Sequence, residues 1–128
     1  MIRFSLHGEF RGKNPNGREM WAVKAKRIKQ ERARVHGNAL VDLGGHYLSM
    51  IRALPKPVIV TLTRTGVRLM DSDNLAGVCA AVRDELAQML GITDGPTDLR
   101  AEWRVAQRKG EPGIDVEIRS AVANESAA

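Results

Sequence analysis

The chain has 128 residues and a mass of 14.1 kDa, 43% apolar and 27% charged, which is the balance of one globular domain with one core. No apolar run is long enough for a membrane span, Met1-Ile2-Arg3-Phe4-Ser5 does not read as a signal peptide, and the single Cys79 excludes an internal disulfide framework, so a cytoplasmic protein is expected. The net charge of +5 is unevenly spread: residues 1–70 hold 14 Lys/Arg against 4 Asp/Glu, and residues 71–128 hold 6 against 11. A basic half suits a polyanionic partner, and an acidic half suits metal ligands or a solvated surface.

Ile2, Phe4 and Leu6 alternate with Arg3 and Ser5, the period of a half-buried strand. The residues Gly12 to Gly17 are turn formers and predict a loop. A helix is expected from Met20 to about Val35, with a thin apolar stripe of Trp21, Ala25, Ile28 and Val35 among many cations. Gly37 and Asn38 are expected to end or interrupt it, before a second helical stretch over 39–53 that Gly44-Gly45 weakens. Residues 58–63 predict a strand after Pro55 and Pro57. Leu75, Val78, Cys79, Val82, Leu86 and Met89 then recur every three or four positions, the best helix of the chain, stopped by Gly91.

Two alternating segments follow, Leu99–Val105 and Ile114–Ile118, and the turn Lys109 to Gly113 is expected to join them as a hairpin. Trp21, Trp103 and Cys79 are expected in the core, and His7, His36 and His46 in structural or exposed positions. The sum is an α+β domain over 1–120 in the order β-α-(α)-β-α-β-β. Helices pack on a mixed or mainly antiparallel sheet, and a frayed tail covers 121–128.

The chemistry concentrates at Asp71-Ser72-Asp73-Asn74-Leu75, between a strand and the best helix. In an extended segment Asp71 and Asp73 point to one side, and two carboxylates so close call for a cation or a proton. Mg²⁺ accepts one or two carboxylates and keeps waters for phosphate. Asp94, past the helix, is a third candidate. A helix of about 16 residues spans roughly 24 Å, so Asp94 reaches the pair only if the loop doubles back or a second subunit supplies it. The plain alternative is that Asp73 caps the helix and Asp94-Gly95 makes a turn.

Asp71-x-Asp73-Asn74-Leu75, Val82-Arg83-Asp84-Glu85-Leu86 and Leu90-Gly91-Ile92-Thr93-Asp94-Gly95, in that order behind a basic first half, resemble the signature of the RusA family of Holliday junction resolvases. Trp103-Arg104-Val105-Ala106-Gln107 is similar to the phage-type branch. The resemblance implies a RusA-like nuclease domain, a homodimer that binds four-way DNA junctions and cuts two strands using Mg²⁺, with Mn²⁺ as a substitute. Carried over, Asp71, Asp73 and Asp94 are the catalytic, metal-binding acids. DNA contact falls to Lys13, Asn14, Arg18, Lys24, Lys26, Arg27, Lys29 and Arg32. Two departures stand out: Thr93 replaces an Asp common in relatives, and Ala80 occupies the position of a functional lysine. The second opens an alternative, a junction- or duplex-binding protein of the same fold that cleaves weakly or not at all.

Overall fold

The computed structural model describes residues 1–12, 20–93 and 95–122. In chain order it contains β1 (Ile2–His7), α1 (Trp21–Leu43), α2 (Tyr47–Arg52), β2 (Val58–Gly66), α3 (Ser72–Leu90), β3 (Ala101–Lys109) and β4 (Gly113–Ser120). The fold is α+β. The strands form one mixed sheet in the order β1-β4-β2-β3, in which β2 and β3 are parallel and the other two pairs antiparallel. A parallel pair needs a long crossover, and α3 supplies it.

Strand alternation decides which face is inside. Phe4, Leu6, Val60, Leu62, Val116 and Ile118 are buried in one cluster with Val78, Cys79, Val82 and Leu86 of α3 and Val35 and Ala39 of α1. The opposite face carries Arg3, Ser5, Thr61, Thr63, Asp115 and Glu117, all at least partly exposed. Each buried aliphatic side chain contributes about 1.5–3 kcal/mol, so a one-residue slip of any strand would be heavily penalised. At the far end of α3, Gly91 takes φ +76°. Its amide donates to the Gln88 carbonyl, while the amide of Ile92 donates to the Ala87 carbonyl at 2.9 Å. This left-handed glycine cap ends the helix where the sequence predicts.

The structure corrects several expectations. β3 and β4 do not form a hairpin: they flank β2 on its two sides, and the turn between them is tied to the end of β2 by the Gly110 amide on the Gly66 carbonyl at 3.0 Å. β2 is the most apolar strand and needs a neighbour on each side, whereas the charged β3 tolerates an edge. That strand also begins at Ala101 rather than Leu99, which is 84% exposed. Gly37 and Asn38 lie inside α1, because Val35 and Ala39 bury one continuous face across them. The chain breaks instead at Gly44, with φ +92°, leaving α2 only six residues.

Trp21 is 82% exposed, and the buried face of α1 is Glu31, Val35 and Ala39. The helix packs through its middle and its last turns, so the first turns, with Met20, Trp21 and Val23, stay in solvent. Cys79 is buried as expected, and Trp103 packs on the core while half-exposed. Of the tail, Ala121 and Val122 are exposed, and 123–128 fall outside the described residues.

Candidate active site

Asp71 is the N-cap of α3. Its Oδ1 accepts the Asn74 amide at 2.8 Å and its Oδ2 accepts the Asn74 Nδ2 at 3.1 Å. The cap is therefore Asp71 and not Asp73. Asp73 sits in the first turn of the helix, so the two acids are not successive same-side residues of an extended strand. Asp is a favoured N-cap, and Asp71 has the extended backbone of that position, φ −69° and ψ 167°, with the helix beginning one residue after it. Asp71 and Asp73 are both exposed, and neither forms an ion pair among the described residues.

The backbone leading into this cap is held from the sheet. Gln107 of β3 accepts the Met70 amide at 2.9 Å and donates to the Met70 carbonyl at 2.7 Å, a two-point clamp on the residue before Asp71. Met70 also lines a pocket of about 170 Å³ at this end of the sheet, together with Phe10, Arg11, Arg64, Thr65 and Val78. Arg64 donates to the Arg68 carbonyl, which turns its guanidinium along the 66–70 connection.

One wall of the pocket is the segment after β1, and a buried acid anchors it. Glu31 is 4% exposed; its carboxylate accepts the Arg11 amide at 2.9 Å, the Gly12 amide at 2.8 Å and Arg27 Nη1 at 3.2 Å. Arg27 Nη1 also donates to the Gly12 carbonyl. Gly12 has φ +54°, and a Cβ there would stand 2.2 Å from the Gly77 carbonyl oxygen of α3, so only glycine fits this crossing.

The sequence-derived site residues are therefore dispersed. Lys13, Asn14, Arg18 and Asp94 lie outside the described residues. The neighbours of Asp94, Thr93 and Gly95, follow the C-terminal end of α3, whose 19 residues span roughly 28 Å. They are thus at the opposite end from Asp71 and Asp73. The turn there is organised by Asp98, which accepts from the Thr93 amide, the Thr93 hydroxyl and the Arg100 guanidinium. The Arg100 hydrogen bonds hold its carboxyl well below the usual carboxylate range, with the backbone amides adding to the effect. Among the described residues no group of three or more His, Cys, Asp or Glu side chains is placed to hold a metal ion.

Of the expected cations, Lys26 and Lys29 are exposed on α1 and Lys24 is half-exposed. Arg27 belongs to the Glu31 anchor. Arg32 pairs with Glu85 of α3 at 2.6 Å. Glu85 also accepts from or shares a proton with His36 Nε2 at 2.6 Å, and His36 Nδ1 meets the Tyr47 hydroxyl at 2.8 Å. Burial pushes the Glu85 carboxyl up, but the hydrogen bonds and charges of His36 and Arg32 outweigh it and leave it below the ordinary glutamate value. This chain ties α1, α2 and α3 together. Burial pushes the Cys79 thiol up to about 11, against the smaller pull of Arg83 and Arg64, so it is an inert core thiol.

Glu31, Glu85 and Gln107 escaped the sequence reading. The spacing Arg27/Glu31 and the pair Arg32/His36, each i to i+4 on one helix, was the available signal. Nothing local marked Gln107. Compared with family models, curated proteins and solved structures, the chain matches none.

Proposed function

We propose that the chain is a Mg²⁺-dependent endodeoxyribonuclease of RusA type that acts as a homodimer on four-way DNA junctions in the cytoplasm, with Asp71 and Asp73 of one subunit and Asp94 of the other as its metal-binding acids. The observation that carries this reading is the pair of exposed carboxylates at the start of α3, beside a pocket whose wall includes Arg11 and Arg64. Asp71 keeps oxygen lone pairs beyond those that Asn74 uses, and Asp73 forms no ion pair among the described residues, so their hard oxygens fit Mg²⁺ with waters completing the shell. When bound, such an ion lowers the pKa of an attacking water and stabilises charge on the phosphate. The chain's own part is to hold the acids: Asn74 fixes the Asp71 carboxylate, Gln107 fixes the backbone before it, and Lys24, Lys26 and Lys29 offer charge to neighbouring phosphates. No described helix is long and apolar enough to cross a membrane.

A second reading, binding without efficient cleavage, is favoured by Ala80 and by Arg83. No basic residue occurs between Asp73 and Arg83, and the Arg83 guanidinium lies over the Trp103 ring at 4.9 Å, turned to the sheet. A labelled synthetic four-way junction separates the two. Cleavage with Mg²⁺ and none with EDTA supports the nuclease. Binding with no cleavage in either supports the second reading, and salt-independent or absent binding overturns both.

A further inference from the structure

The two edges of the sheet are treated differently. At the β1 edge, Asp42 of α1 accepts the Ser5 amide at 2.9 Å, and Arg34 donates to the carbonyls of His7 and Glu9. Side chains of one helix thus occupy the polar groups that an edge strand leaves open. At the other edge, β3 is hydrogen-bonded to β2 alone, and among the described residues no strand lies along its outer side. It runs nine residues without Pro or Gly, and its central Val105 is 37% exposed. A long, regular, unsealed edge is a template for another strand.

We infer that this edge is the dimer interface: β3 of a second copy of this chain pairs with it antiparallel, about a two-fold axis at Val105, merging two sheets into one. The inference rests on the homodimer of the proposed function and adds where that dimer is built. The sequence of β3 selects the register. With Val105 on the axis, Glu102 stands opposite Arg108 of the partner subunit, and symmetry repeats the pair. Val105 meets its own copy beside Trp103, which covers its exposed surface. Moving the axis to Arg104 sets Arg104 against Arg104 of the partner subunit. Moving it to Ala106 sets Arg104 against Arg108 of the partner subunit. Of these three registers only the Val105 one pairs opposite charges, and it alone pairs all nine residues of β3; an axis at Trp103 would set Glu102 against Arg104 of the partner subunit but pair only residues 101–105. The present partners, Arg104 for Glu102 and Asp115 for Arg108, are exposed and readily exchanged.

The geometry bears on the site. A two-fold axis perpendicular to the merged sheet keeps both helix layers on one face. The Asp71–Asp73 ends then lie on that face, each beside a Gln107 that stands about 13 Å along the strands from its copy, at about 3.3 Å per strand residue. Gln107, which holds Met70, belongs to the interface strand itself.

Sedimentation at micromolar concentration, without DNA or metal, tests this. The wild-type chain should run as a dimer of about 28 kDa, twice 14.1 kDa. Glu102→Arg and Arg108→Glu each put like charges across the axis and should each run as folded monomers. Their equimolar mixture restores both opposite pairs and should run as a dimer. Val105→Cys should form a disulfide-linked dimer on mild oxidation, because facing antiparallel residues have Cα atoms about 4.5–5.5 Å apart and Cys79 is buried. Single variants that stay dimeric, or a mixture that stays monomeric, overturn the β3 interface and leave a two-fold dimer standing. A wild-type monomer overturns both the interface and paired cleavage.

Discussion

Glu31→Ala is the sharpest probe of how the candidate pocket is held. The carboxylate is 4% exposed and serves three donors: the amides of Arg11 and Gly12 and the guanidinium of Arg27. Truncation leaves a cation and two amides without their acceptor at a site of little water. An unsatisfied buried donor costs about 1–3 kcal/mol, and breaking a buried ion pair about 3–5 kcal/mol. These overlap, so a total loss of about 3–5 kcal/mol is expected. For a domain of this size that lowers Tm by roughly 10–20 °C. Glu31→Gln keeps one acceptor oxygen and should lose about half as much. Thermal and urea unfolding followed by circular dichroism give both numbers. A loss below about 1 kcal/mol for the alanine variant would refute the anchoring role of Glu31.

Asp73→Asn should abolish Mg²⁺-dependent cleavage with little change in Tm, whereas Asp71→Ala should lose cleavage and also about 1 kcal/mol of helix capping; parallel cleavage and melting assays read both. Gly12→Ala should unfold the chain several degrees earlier, since the φ of +54° and the Gly77 carbonyl leave no room, and differential scanning calorimetry would detect it. The depressed Glu85 carboxyl favours the charged form in the folded state. Its stabilisation is complete above the ordinary glutamate value and fades as pH falls through the lower folded value, so Glu85→Gln should flatten the acid limb of a plot of Tm against pH. Junction binding should weaken steeply with salt, with a log–log slope near −0.9 per phosphate contacted; a triple Lys24/Lys26/Lys29→Ala variant should reduce that slope in a salt titration.

What the sequence revealed follows how local each cause is. β1 and the 58–63 part of β2 were legible because one face is buried and the period of two records it, whereas the extension of β2 to Gly66 was not. α3 was legible through its apolar spacing and its Gly91 stop, while its cap lies two residues before the one expected, on Asp71 rather than Asp73. α1 was misread because its buried stripe runs through a carboxylate, Glu31, while Trp21 sits in solvent. The hairpin failed because β2 draws β3 and β4 to opposite sides, a decision taken by sheet burial rather than by the turn. At the site, Asp71 and Asp73 were found as a motif. The supports of this end of the molecule came from residues 19 to 53 positions apart, as in Gly12 and Arg11 on Glu31, Met70 on Gln107 and Arg32 on Glu85, and no periodicity encodes such pairings.

The central claim is that paired acids at the start of α3, one set in each of two subunits, cut a branched DNA. A supercoiled plasmid that extrudes a cruciform reads metal dependence, branch selectivity and pairing together. With Mg²⁺ the wild-type chain should convert it to linear DNA cut at the cruciform, Asp73→Asn should leave it supercoiled, and a plasmid without the cruciform should be untouched. Supercoiled plasmid persisting with the wild type, or equal linearisation by Asp73→Asn, would contradict the claim.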